Sequence, residues 1–264
     1  LKIAEKERDK KIVFAGIGFE TTSPATAIAL LKAKQLNLRN FMVLSAHKLM
    51  PPAMQAVIKE GAKIDGYICP GHVSTITGSG MYDIFPQKYG VATVISGFEP
   101  VDILLSILML MRQVNSGKFQ TEIQYTRAVK PEGNTKARNL LKEVFKATES
   151  EWRGMGFLPS SGLSLKTEFR TWDAEKQFDF KLPEIKPDSG CICGEILMGL
   201  KNPDDCSLFA ASCKPDSPAG ACMVSSEGTC NAWYTWKRTE KEDNKDSFRR
   251  LYRVIDGDGR KVYE

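Results

Sequence analysis

No stretch of this 264-residue chain is apolar enough to cross a bilayer. The longest strongly apolar run, residues 101–111, contains Asp102, whereas a spanning helix needs about 20 such residues. It reads as a buried helix face, and no membrane association is expected. Charge of one sign is not gathered either: the formal net charge of +5 is spread along the chain without a basic stripe or arm. That argues against a nucleic-acid partner and for a solubility role. The first 11 residues are charged, with no apolar core and cleavage site, so no secretory signal is expected. The chain starts with Leu1 instead of Met, as a fragment or trimmed product would. There is no internal repeat. Histidine is scarce, with two, and before residue 191 cysteine occurs once, at Cys69.

The first half alternates β-rich and helical patterns. Strands are expected at 11–15 (KIVFA), 41–45 (FMVLS), 64–68 and 91–95 (VATVI), with helices at 25–36, 52–61 and 100–113. Strands separated by helical crossovers imply an α/β fold with a doubly wound, mostly parallel sheet. That domain is placed at 1–118, followed by a helical and connecting region at 119–186. A cysteine-rich lobe at 187–236 and a charged tail at 237–264 complete the chain, with a small hairpin expected over 251–263.

Binding sites of such sheets lie beyond the carboxyl ends of the strands. Those ends carry Glu20, Thr21 and Thr22 after the first strand, His47 after the second, His72 and Ser74 after the third, and Glu99 after the fourth. Helix starts near Thr22 and Glu99 offer free N–H groups to an anion. The plain alternative is that Glu20 and Glu99 serve neighbouring backbone and that the histidines are bonded turn residues. Gly16-x-Gly18 lacks the third glycine of a dinucleotide fingerprint, and Phe19 and Glu20 crowd the place of a pyrophosphate, so no nucleotide is expected.

Six of the seven cysteines, Cys191, Cys193, Cys206, Cys213, Cys222 and Cys230, fall in one segment. In a reducing cytosol, the expected compartment, such a concentration serves metal or redox chemistry before structural disulfides. Neither histidine is near in sequence, so a metal here takes thiolate ligands. The spacing is not the paired C-x2-C of zinc ribbons, and the uneven gaps hold Pro203, Pro215, Pro218 and Gly220, as loops around a larger object would. Four thiolates suit zinc or an iron–sulfur cluster. Spacing alone does not say which four of the six ligate.

Several motifs together resemble the HypD family of [NiFe]-hydrogenase maturation proteins. They are Gly18-Phe-Glu-Thr-Thr22, Pro70-Gly-His-Val-Ser74, Ser96-Gly-Phe-Glu-Pro100, Glu151-Trp-Arg-Gly154, Cys191-x-Cys193-Gly-Glu-Ile-Leu197, Pro203-x-x-Cys206-x-Leu-Phe209 and Met223-Val-Ser-Ser-Glu-Gly-Thr-Cys230. The resemblance implies a scaffold for the Fe(CN)2CO unit, working with a HypC-type chaperone and a HypE-type cyanide donor. It implies a [4Fe–4S] cluster on Cys191, Cys206, Cys213 and Cys230, with Cys193 and Cys222 as a thiol pair beside it. The strand-end residues Glu20, Thr21, Thr22, His47, His72, Ser74 and Glu99 are then read as an edge for the partners or the iron unit.

Departures from the pattern are specific. The Cys-Gly-x-His and Gly-Pro-Gly-Cys-Pro-x-Cys segments of the family's N-terminal third, implicated in holding the iron, do not occur. Ala210 stands where the family usually has Gly, and Cys69 where a small residue is common. Two other classes fit the cysteines: a zinc-stabilised interaction module, and a thiol–disulfide reductase using Cys193 and Cys222.

Overall fold

The computed structural model describes residues 1–179 and 190–237. The chain divides into two compact units, Leu1–Glu184 and Ile185–Glu264. The first is mixed α/β, with mostly parallel strands. After a short helix α1 (Lys2–Lys6), strand β1 (Ile12–Gly18) pairs in parallel with β2 (Phe41–His47), from Ile12 opposite Phe41 to Gly18 opposite His47. Helix α2 (Ser23–Gln35) makes the crossover. Pro24 sits in its first turn, where a missing N–H does no harm, and Asn37 ends the segment in the left-handed region at φ 50°. Its Ala27, Leu30 and Ala33 recur on one helical face and are buried with Val43, Val144 and Phe169.

Helix α3 (Met50–Lys59) leads to a second parallel sheet, in which β4 (Ala92–Ser96) lies between β3 (Gly66–Pro70) and β5 (Thr121–Ile123). Short helix α4 (Gly71–Thr77) and long helix α5 (Pro100–Ser116) come after β3 and β4. Helix α5 starts at a proline and stops at Gly117, which takes φ 65°.

The strands do not join in the single doubly wound sheet expected from the sequence. The reason is an antiparallel hairpin of β6 (Phe145–Trp152) and β7 (Gly156–Leu165), which the chain forms directly after α6 (Thr135–Val144). Bridges from Lys48 to Gly162 and from Val43 to Asp173 occupy the second edge of β2. The region 119–186, expected to be helical and connecting, therefore carries strands β5, β6 and β7, with the short helix α7 (Ala174–Gln177) after them. From Ala147 to Trp152 strand β6 alternates in burial, the period-2 signature of a half-exposed strand.

The second unit is loop-rich. Among its described residues are the short α-helices α8 (Cys193–Leu197), α9 (Ala221–Val224) and α10 (Thr229–Ala232), around a core of Ile196, Met223 and the cysteines. The hairpin expected over 251–263 and nearly all of the charged tail lie outside the described residues. Among the described residues no helix is long and apolar enough to cross a membrane.

Candidate functional site

The strand-end residues split into an inward and an outward set. Glu20 is 2% exposed, and its Oε1 accepts the Met50 N–H at 3.0 Å, serving the first amide of α3. Its Oε2 has no hydrogen-bond partner, and burial raises its pKa. Tyr82, which carries no motif in the sequence, lies close by with an unpartnered hydroxyl. Burial raises that group, with Cys69 and Glu20 adding to the effect and the nearby Ser74 side chain opposing it. Ser74 donates from Oγ to the Pro70 carbonyl at 2.9 Å, a local bond within its own helix.

His47 is buried too. Its Nε2 is 3.0 Å from Thr26 Oγ1, and Phe145 meets the ring edge-on at 5.9 Å. A Cβ at Gly16 would lie 2.9 Å from Nε2, so glycine there makes room for the imidazole. Nδ1 has no partner within hydrogen-bonding geometry, and burial lowers the pKa, the Gly18 backbone opposing it. With Ser45, Ser164 and Asp173, His47 lines a cavity of about 320 Å3.

His72 faces out and has different neighbours. Its ring lies 4.8 Å from Phe98 and 6.3 Å from Tyr125, and the Arg127 guanidinium covers Tyr125 at 4.4 Å. Arg127 is in turn 3.4 Å from Glu99 and holds the Asp102 carboxylate. The structure thus brings His72 and Glu99 into one aromatic and cationic cluster, while His47 belongs elsewhere. Asp102, Gln124, Tyr125 and Arg127 are absent from the strand-end set expected from sequence, and only Asp102, a charge inside an apolar run, signalled itself. Thr21 and Thr22 are exposed, and the Thr22 hydroxyl donates to the Phe19 carbonyl at 3.2 Å, bracing the turn.

The Glu151-Trp-Arg-Gly154 motif acquires a role in β6. Lys48 Nζ donates to Ser150 Oγ and to the Glu151 carbonyl, the latter at 2.7 Å, and lies 5.9 Å over the Trp152 ring. Trp152 Nε1 donates to buried Ser161 Oγ at 2.9 Å. Burial lowers the Lys48 pKa, the nearby Glu151 opposing it.

In the second unit all six cysteines belong to one cluster, with Cys193, Cys213, Cys222 and Cys230 buried and Cys191 and Cys206 partly so. Local devices put them there. Asp205 Oδ2 accepts the Asn202 N–H at 2.8 Å, closing the turn that delivers Cys206. Asn231 Nδ2 donates to the Met223 carbonyl at 3.0 Å, tying α10 to α9 and so Cys230 to Cys222. Cys222 Sγ lies 2.9 Å from Cys230 Sγ, and all seven thiols of the chain are free.

Two amides point at sulfur: Ala219 N–H donates to Cys213 Sγ and Cys222 N–H to Cys193 Sγ, each at 3.3 Å. A Cβ on Gly220 would fall 2.6 Å from Cys191 Sγ, so that glycine lets the loop close over the thiol. The neighbouring Cys222 thiol raises the Cys193 pKa, burial adding to it and the Cys222 N–H opposing it, and burial raises Cys191 and Cys230. Among the described residues no three His, Cys, Asp or Glu side chains are set to hold a single metal ion. A convergent set of six thiols with backbone N–H groups aimed at sulfur fits a multi-iron cluster, whose thiolates sit on separate irons.

Comparison with known proteins points to one family. The profile of HypD, described as the hydrogenase formation hypA family, matches residues 1–237. A protein of Methanocaldococcus jannaschii named for hydrogenase expression and formation is 45% identical over 240 residues, covering 90% of this chain and 66% of its own. The hydrogenase expression/formation protein HupD of Azotobacter chroococcum is 47% identical over 245 residues, covering 90% of this chain and 65% of its own. The hydrogenase maturation factor HypD of Azotobacter vinelandii is 46% identical over 245 residues, with the same shares of 90% and 65%. The chain spans just under two thirds of the length of these relatives.

Proposed function

This chain belongs to the HypD family, and from that membership we propose that it acts in hydrogenase maturation as an iron–sulfur scaffold for the Fe(CN)2CO unit. The observation that carries the reading is the convergence of Cys191, Cys193, Cys206, Cys213, Cys222 and Cys230 in one cluster of the second unit. Cys191, Cys206, Cys213 and Cys230 hold a [4Fe–4S] cluster, and Cys193 with Cys222 forms a thiol pair beside it. When bound, such a cluster supplies one-electron transfer.

The chain's own contributions are positional. Donors such as the Ala219 N–H stabilise charge on sulfur. Leu208, Phe209 and Tyr234, packed against the cysteines, keep water from the site. In the first unit His72, Glu99, Thr21 and Thr22 are the accessible members of the strand-end set and meet the iron unit, the HypC-type chaperone or the HypE-type cyanide donor. Glu20, His47 and Ser74, all buried, hold the turns that present them.

Anaerobic purification with metal analysis tests the reading. The expected product is brown, with roughly four irons per chain and a broad absorbance near 400 nm. A colourless protein that takes up one zinc per chain and no iron on anaerobic reconstitution would overturn the iron–sulfur part and leave a zinc-stabilised module. The placement of Cys222 Sγ 2.9 Å from Cys230 and within reach of Cys193 favours a second reading, thiol–disulfide exchange. It requires a thiol count that rises on reduction, and an unchanged count excludes it.

A further inference from the structure

Helix α5 has its polarity reversed. Its buried positions are Asp102, Ser106 and Gln113, each satisfied inside the unit. Asp102 binds Arg127 and Gln124, Ser106 Oγ donates to the Asp102 carbonyl, and Gln113 joins Glu122 and the Gln120 N–H. The face turned outward carries Val101, Leu104, Leu105, Ile107, Leu108, Met111 and Val114, with Val101 65%, Leu104 66% and Met111 56% exposed. Val101, Leu104, Leu108 and Met111 fall on the alternating three- and four-residue spacing of a packing seam. No charge interrupts that seam between Asp102 and Arg112. A surface helix of a self-sufficient domain has the opposite arrangement. A contiguous apolar patch of this kind marks an interaction surface.

We propose that this face seats the polypeptide forming the third of the relatives' length outside their matched span, supplied on the same chain or separately. Three observations select that occupant. The seam has the apolar, uncharged composition of an obligate interface, which favours a permanent neighbour over a transient one. A second region of the same unit is also open: β1 pairs on one edge only among the described residues, and its Val13, Phe14 and Ile17 are exposed, Ile17 to 71%. A lone partner helix covers one such face, whereas a domain-sized segment supplies both a cover and an edge strand. The relatives carry about that much more chain, since 240 matched residues are 66% of the Methanocaldococcus jannaschii protein. The inference rests on family membership and is independent of the iron–sulfur reading.

The test co-expresses this chain with the tagged unmatched third of the Methanocaldococcus jannaschii relative. Leu104→Asp/Leu108→Asp serves as the variant, since both side chains are exposed and their loss leaves the chain's own melting curve in place. The expected result is a one-to-one complex with the unaltered chain and at least about tenfold weaker capture by the variant. A complex indifferent to the substitutions overturns the proposal. So does a concentration-dependent dimer of this chain that the substitutions break, which assigns the face to a second copy. Hydrogen exchange on the complete relative, and on the same protein trimmed to its matched span, gives a readout independent of the separate third. The helix aligned with α5 is expected to gain exchange on trimming, and equal exchange in both forms overturns the proposal.

Discussion

Asp102 receives both terminal nitrogens of Arg127, at 2.7 and 2.5 Å, from 25 residues further along the chain. This bidentate pair ties the first turn of α5 to the segment after β5 and holds the Asp102 carboxyl down to about 2. A depressed carboxyl stabilises the fold above its unfolded value of about 3.9 and loses that contribution as pH falls through the folded value. Arg127→Gln is expected to return Asp102 toward the ordinary range, so that the variant melts below the native chain at pH 6 and the gap narrows as pH falls toward 2. Thermal melts of both proteins between pH 2 and pH 6, compared for the Tm difference at each pH, check this. Coincident curves would show that the pair contributes nothing.

Glu20 has the opposite sign. Burial raises its pKa above the ordinary 4.5, so its contribution is complete below that value and is lost as pH rises through the folded value. Glu20→Gln keeps an oxygen for the Met50 amide and removes the buried charge. The variant is expected to melt a few degrees higher than the native chain at neutral and basic pH, with little difference at pH 4. A variant less stable at pH 8 would contradict the assignment.

Ala210 takes φ 58°, a left-handed conformation that costs a residue bearing Cβ roughly 1–2 kcal/mol. It lies in the turn between Cys206 and Cys213, where its N–H donates to the Cys213 carbonyl at 3.1 Å. Ala210→Gly is expected to stabilise the second unit by up to about 1 kcal/mol, the relief being partly offset by added freedom in the unfolded chain. Ala210→Val should do the reverse. Denaturant melts of the three proteins rank them.

Gly220 lies where a methyl group would meet Cys191 Sγ at 2.6 Å and Cys193 Cβ at 3.0 Å. Gly220→Ala is expected to push the loop off these thiols. Iron bound per chain after anaerobic reconstitution should fall, and metal-free protein should react faster with a thiol reagent at Cys191 and Cys193. Unchanged iron content and unchanged labelling would mean that the loop is free to move aside.

The strand-end residues were legible one by one, because each follows a β-rich run. Their distribution over two sheets and their division into buried and exposed members were not. Glu20 looks inward because α3 begins at Met50, and His47 because Gly16, Thr26 and Phe145 enclose it. Those neighbours come from distant parts of the chain. Tyr125 and Arg127 carried no local signal, since a pair with Asp102 depends on where β5 ends.

The amino-acid sequence by itself determined the succession of β1 to β4 with their crossover helices, and the gathering of thiols into one late segment. Both are local matters of hydrophobic period, turn residues and composition. Only the tertiary structure decided that the strands divide between two parallel sheets, because Asp173 bridges the second edge of β2 at Val43 and Gly162 of β7 bridges Lys48 just past its end. It alone also decided which side of α5 faces inward. A helix whose polar side is buried reads in sequence like one whose apolar side is buried, and Arg127, Gln124 and Glu122 are what reverse it.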